Sequence, residues 1–319
     1  MTFQQLYYMV QVSKCGSINK AAKKLFISQS AVSAAVRELE EELGATFLIR
    51  SNRGVEFTPE GKEFLSYAVS LLGQKRRLES LYTEADNGTV PTSFSVSSQR
   101  FPFSEAAFLR LLQESSDNRL RFSYKEDGMD AVIDDVYDHR ADVGVIFTTA
   151  STERIILRVL ESRGVEFSEL AAVPPCAYMR CGHPLSGRAF VSESELNDYP
   201  YISFELEQGV AADFFEEYPI NTLSKPAKCI RLKNRSVAMH ILERTDAVTT
   251  GSGLLARDLG YGNVMTVPLQ DNGLIRIGSL HIKSSRLSAQ AQKYLSLLTD
   301  SIADSVKYSE ELRQRFRSE

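Results

Sequence analysis

The chain has 319 residues, 43% of them hydrophobic and 24% charged, with a formal net charge of −4. That length excludes one ordinary domain and predicts two or three folding units, and the composition is that of a soluble globular protein. No apolar run approaches the ~18–20 residues a membrane helix needs, and the first residues lack the basic-then-apolar layout of a secretory signal, so the chain is expected to be cytoplasmic.

Residues 3–14 predict a helix with Phe3, Leu6, Tyr7, Met9 and Val10 on its apolar side. Ser17 is a natural N-cap for a second helix carrying Ile18, Ala21, Ala22 and Leu25. Ser28 caps a third, in which Val32, Ala35, Val36, Leu39 and Leu43 recur at helical spacing and Gly44 supplies the stop. Gln29, Ser30, Ser33 and Arg37 fall on the opposite face, near the helix start. Small or hydrogen-bonding side chains placed there suit base edges in a major groove, so the stretch 17–44 reads as a helix-turn-helix whose second helix does the reading. Residues 1–57 carry +2 and leave −6 for the rest, which fits a chain that touches phosphate with its first part alone.

Thr46–Arg50 and Val55–Thr58 read as the strands of a hairpin, a wing beside the reading helix. Arg50 and Arg53 stand where a wing meets backbone phosphate or the minor groove; the bland alternative is a solvated hairpin. Thr58-Pro59-Glu60 opens a long helix, with a cap, a proline in the first turn and an acid that suits the dipole. Phe64, Ala68, Leu71, Lys75, Leu78 and Tyr82 then form a heptad seam, blemished by Lys75. Its expected partner is the same helix of a second copy, the alternative being its own chain. Residues 86–91 break that helix and serve as a linker.

The ordered set Gly16-Ser17-Ile18, Ala21-Ala22, Leu25, Ser28-Gln29-Ser30-Ala31-Val32-Ser33, Leu39-Glu40, Leu43-Gly44, Phe47, Arg50 and Thr58-Pro59-Glu60-Gly61 resembles the N-terminal part of LysR-type transcriptional regulators. The resemblance implies a winged helix-turn-helix (1–58), a dimerising linker helix and hinge (59–90) and an effector domain (91–319). It implies DNA contact by Gln29, Ser30, Ser33, Arg50 and Arg53. Position 30 is often proline in the family, and position 34, here Ala34, is frequently polar or basic. That departure reduces the expected base contacts there to a methyl group against thymine.

From Ser93 onward strand and helix patterns alternate, which predicts α/β layers with parallel strands. Strands are expected at 93–97, 120–125, 142–147, 201–204, 228–232 and 247–250. Helices are expected at 104–113, 129–139, 210–217, 236–244 and 252–259. Residues 140–146 resemble the family's effector domain, similar in fold to periplasmic binding proteins. That implies two Rossmann-like subdomains, about 91–163 with 269–319 and about 164–268, crossed near Arg163 and Pro268. Residues 275–283 would be the returning strand and 287–306 the closing helix. Ligands in such sheets sit beyond the carboxyl ends of strands. That rule picks Ser98, Gln99, Arg100, Thr148, Thr149, Phe204, Thr250 and Ser252, groups suited to a small anion but equally ordinary in turns.

Signals for catalysis are weak. His139, His183, His240 and His281 are scattered without metal spacing, and there is neither a phosphate loop nor a nucleophile elbow. No cofactor or metal is expected. The four cysteines, Cys15, Cys176, Cys181 and Cys229, are read as reduced thiols, with a redox pair of Cys176 and Cys181 as the alternative. The reading is therefore a regulator that meets promoter DNA, a small-molecule effector, copies of itself as a homodimer or homotetramer, and RNA polymerase. The rival is a ligand-binding or enzymatic α/β domain with an inactive DNA head.

Overall fold

The computed structural model describes residues 1–51, 54–83, 92–115, 119–204, 228–270 and 273–317. The chain divides into two compact units, Met1–Pro91 with Asp138–Arg140, and Thr92–Tyr137 with Ala141–Glu319.

In the first unit, α1 (Phe3–Cys15) begins at a Thr2–Gln5 capping box and ends at Gly16 in the left-handed region. α2 (Ile18–Leu25) and α3 (Gln29–Leu43) start at Ser17 and Ser28, whose hydroxyls accept from Lys20 N–H and Ala31 N–H. Each such cap satisfies an orphan donor and contributes ~1 kcal/mol. Met9, Val12, Ile18, Ala21, Ala22, Val32, Val36 and Leu39 form the core beneath the turn. Phe3 and Tyr7, expected on the apolar face of α1, are exposed instead.

β1 (Leu48–Ser51) and β2 (Gly54–Phe57) pair antiparallel as the wing, from Leu48↔Phe57 to Ser51↔Gly54. Two side chains fix its base. Glu40 Oε1 accepts from the N–H groups of Phe47 and Leu48 at 2.7 and 3.0 Å. Thr58 Oγ1 donates to Thr46 O at 2.8 Å and accepts from Gly61 N–H at 2.9 Å, so one hydroxyl ties the wing to the start of α4 (Pro59–Thr83).

The expected seam on α4 is divided between two roles. Phe64 stacks on Phe47 with ring centroids 4.4 Å apart, and Ala68 with Leu72 packs on Leu6 and Val10 of α1. Leu71 and Leu78 face solvent. The first part of the stripe thus docks on its own chain, and only the later part is available to a second copy. Arg53, the linker at 86–91 and the helix expected at 210–217 lie outside the described residues, as does the side chain of Tyr82.

The second unit runs β3 (Thr92–Ser98), α5 (Pro102–Gln113), β4 (Leu120–Glu126), α6 (Met129–Tyr137), β5 (Val143–Thr149), α7 (Glu153–Ser162), β6 (Val165–Val173), β7 (Cys176–Arg180), α8 (Glu193–Leu196), β8 (Tyr201–Phe204), β9 (Cys229–Leu232), α9 (Arg235–Arg244), β10 (Thr249–Gly251), β11 (Val264–Pro268), β12 (Ile275–Ile282) and α10 (Ala289–Arg317). One subdomain holds a five-stranded sheet ordered β4-β3-β5-β12-β6. The other holds β10-β7-β11 and β8-β9, with a parallel bridge from Tyr201 to Val248.

Three expectations are corrected here. The strands are not all parallel: β12 runs antiparallel to both β5 and β6, and β7 runs antiparallel to both β10 and β11. The chain does not leave the first sheet near Arg163: β6 follows and pairs with β12 along its length, so the crossing falls at Pro174-Pro175. Residues 252–256 form no helix. All five are buried, Leu255 N–H donates to Ser309 Oγ, and only a 3-10 turn follows at Arg257–Leu259. Gly253 stands at φ 72, in the left-handed region, which interrupts a right-handed helix.

α10 also runs past its expected end at residue 306. Ala291, Tyr294, Leu298 and Ile302 enter the core of the first subdomain, and Tyr308, Leu312 and Phe316 pack in the second. Ser301, Ser305 and Ser309, one row at four-residue spacing, are buried between these sets. Ser301 donates to Phe103 O at 2.8 Å.

Candidate functional site

The first candidate surface is the start of α3. Gln29, Ser30 and Arg37 are exposed and Ser33 is half-buried, with Val32, Val36 and Leu39 in the core behind them. Residues 29, 33 and 37 share one row of the helix because successive members are four positions apart. Ser28 Oγ lies 3.0 Å from Ser30 Oγ, which places Ser30 beside the cap. Ala34 is exposed next to this row and offers only a methyl group. Arg50 lies on β1, but its side chain is outside the described set.

The second is a cleft between the two subdomains of the second unit, about 690 Å³ when the solvent at its mouth is counted. Gln99 and Arg100 line it from the first subdomain, and Tyr178, Tyr201, Phe204, Arg235, Met239 and Thr250 from the second. Gln99 is anchored: its backbone N–H donates to Val145 O and its Oε1 accepts from Phe147 N–H, both at 2.9 Å. Arg100 lies over the Phe204 ring, 4.6 Å from the centroid. Tyr201 Oη and Thr250 Oγ1 are 2.6 Å apart.

Arg235 spans the cleft. It stands in the first turn of α9, 7% exposed, and pairs with Glu105 of α5 and with Glu126 at the end of β4, the latter at 2.9 Å. Burial works against its charge, but Glu126, Tyr261 and Glu105 outweigh it and hold the guanidinium above its ordinary pKa. With the two acids in place, Arg235 brings no net positive charge to the cleft. Arg100 is a second cation at the cleft, set against the Phe204 ring. A largely apolar cleft with a few polar groups converging on it is of the kind that holds a small molecule.

Of the eight side chains expected here, Gln99, Arg100, Phe204 and Thr250 line the cleft. Ser98 is fully buried and donates to Gln99 O at 2.7 Å. Thr149 joins Ser151 and Thr152 in the turn before α7. Thr148 is fully buried, and Ser252 is buried 3.4 Å from the Tyr178 hydroxyl. None of these four lines the cleft. Sequence reasoning missed Tyr178, Tyr201, Met239 and Arg235. The first three sit inside strands and a helix, where apolar residues read as core. Arg235 had a signal, since a cation in the first turn after the Asn234 cap has the wrong sign for the helix dipole and calls for acidic neighbours.

The cysteines do not form a redox pair in this arrangement. Cys176 and Cys181 begin and follow β7, roughly 16 Å apart at ~3.3 Å per residue, beyond disulfide reach. Burial raises the Cys181 thiol pKa, the opposite of a reactive thiolate. Among the described residues no three His, Cys, Asp or Glu side chains are grouped to hold a metal ion, and no helix is long and apolar enough to cross a membrane.

Comparison with known proteins finds matches for both parts of the chain. Residues 3–62 match the family described as bacterial regulatory helix-turn-helix protein, lysR family, and residues 107–303 match the LysR substrate binding domain. The chain is 25% identical over 313 residues to the transcriptional regulator PcaQ of Agrobacterium fabrum, covering 95% of this chain and 94% of that one. It is 42% identical to BenM of Acinetobacter baylyi over 81 residues, about a quarter of each. Among solved structures it is similar in fold to full-length CbnR in complex with its target DNA, with a TM-score of 0.58 and 18% identity over 96% of this chain and all of that one. A full-length OxyR from Pseudomonas aeruginosa gives a TM-score of 0.56 and 18% identity, covering 95% of this chain and 94% of that one.

Proposed function

The chain belongs to the LysR family of helix-turn-helix transcriptional regulators, and from that premise we propose how its residues divide the work. It binds promoter DNA as an oligomer and carries an effector-binding domain. Gln29, Ser30, Ser33 and Arg37 are the groups that meet the duplex from α3, and Arg50 and Arg53 those that meet it from the wing. Gln29 presents a donor and an acceptor together, as adenine requires, and Ser33 bonds to a base or a phosphate. The arginines add affinity that falls with salt and carries little sequence preference. The protein acts in the cytoplasm, where its DNA is.

The effector is a small organic anion held in the cleft, with its charge toward Arg100 and Thr250 and its body against Tyr178, Phe204 and Met239. The observation that carries this is the meeting of Arg100 with an aromatic and apolar wall in a space open between two subdomains. Binding biases the relative position of the subdomains and so the spacing of the DNA heads in the oligomer.

A thermal-shift screen of small carboxylates identifies the ligand, because a molecule that binds only the folded state raises the melting temperature by mass action. Footprints on the selected operator with and without that ligand then differ; identical footprints refute the coupling. Alanine at Gln29 and Ser33 costs ~1–3 kcal/mol of discrimination for each base-reading side chain removed. Operator affinity untouched by both substitutions refutes the reading surface.

A further inference from the structure

Phe26 lies between α2 and α3, and packing explains neither of its two unusual features. It is 95% exposed, the most exposed large apolar side chain among the described residues. Its backbone is left-handed, with φ 57 and ψ 38. It closes α2 through two crossed bonds: its own N–H donates to Lys23 O at 3.2 Å, and Ile27 N–H reaches Ala22 O at 3.1 Å. Glycine, or asparagine, takes that position with least strain, because a Cβ crowds the carbonyl there. A ring at this site strains the backbone and leaves apolar surface in water. Nothing among the described residues offsets either cost, and strain of this kind persists where it serves a site.

The location indicates which site. Ser28, two residues on, caps α3, and Gln29 and Ser30 open the exposed polar row. Lys23 and Lys24, both exposed, close α2 just before it. The ring therefore sits at the margin of the reading surface, between cations that suit phosphate and amides or hydroxyls that suit bases. Deoxyribose and the thymine methyl group are the apolar parts of a duplex within reach of such a margin.

We propose that Phe26 is a DNA-contacting residue, its ring packed on deoxyribose and thymine methyl surface at the groove edge. The assignment rests on the reading surface proposed above and adds an apolar contact to it. The strain is then a cost of carrying a ring where the turn alone would favour glycine.

The test separates affinity from stability. Duplexes are enriched from a random pool by the full-length wild-type chain, and binding of the enriched duplex to Phe26→Asn, Phe26→Gly and Phe26→Tyr is followed by fluorescence anisotropy beside thermal unfolding. Phe26→Tyr keeps the ring and binds within twofold of wild type. Phe26→Asn and Phe26→Gly bind about tenfold more weakly, while the melting temperature of Phe26→Asn holds or rises. A purely structural residue would move both quantities down together. Affinity within twofold of wild type for Asn and Gly overturns the assignment and leaves the ring to a protein partner. Affinity that falls only in step with stability overturns it too. If the wild-type chain enriches no duplex, the reading surface fails and the assignment goes with it.

Discussion

Gly61 stands in the first turn of α4 with the backbone of Phe47 against it. A Cβ built there would lie 2.2 Å from Phe47 O, where no real side-chain atom fits. Gly61→Ala must push the wing from the helix, and a loss on the order of 2 kcal/mol is expected in urea unfolding of the full chain. His183 yields a pH dependence. Its ring is buried; Nδ1 accepts from Leu185 N–H at 3.1 Å and the Nε2 side meets Asp246 O at 3.3 Å. Burial, the largest cause, holds its pKa below 6.5 in the folded chain. The unfolded chain therefore binds the proton more readily, so stability from this group is full above pH 6.5 and is lost as pH falls through the folded value. Melting temperature should drop more steeply below pH 6.5 in wild type than in His183→Gln. At this scale the caps and the polar row on α3 were legible, because each follows from local rules about hydroxyls, helix starts and four-residue spacing. The cleft was half legible. Gln99 and Arg100 follow a strand end, whereas Tyr178 and Met239 owe their role to which neighbours the fold removes from in front of them.

The elements of the first unit come from periodicity and caps that act within a dozen residues, and they match what the sequence implied to within a residue or two at most ends. α4 shows where periodicity stops being sufficient. Ala68 is buried on α1 while Leu71, three residues later, is exposed, and a stripe of spacing alone cannot say which members each partner takes. Leu78, 59% exposed, belongs to the part left for a second copy. Leu78→Glu should shift the protein toward smaller species in light scattering while leaving its circular dichroism unchanged; an unaltered mass would show that this part of α4 is not an interface. Between Thr148 and Pro200 the sequence patterns predicted no element, yet α7, β6, β7 and α8 are there. β6 is a strand because β12, over a hundred residues away, pairs with it. No local signal carries that partnership.

On the scale of the second unit, Arg235 is one of the groups that join its two subdomains across the cleft. Arg235→Met leaves Glu105 and Glu126 facing one another without their shared cation. Breaking a buried ion pair in this way costs ~3 kcal/mol, readable as a lower urea midpoint, and adding Glu126→Gln should restore part of it by removing one of the facing charges. The two-subdomain plan and the returning strand were legible through the family resemblance, the alternation of patterns implying only α/β layers. The crossing point was not, since Pro174 and Pro175 are preceded by a strand whose place in the first sheet depends on long-range pairing. α10 sets a further condition. It is one unbroken rod of 29 residues, roughly 43 Å at ~1.5 Å per residue, seated in the apolar interior of both halves. Halves seated on a common spar are not strung together by loops alone, and a displacement of either one is felt by the other through the helix they share.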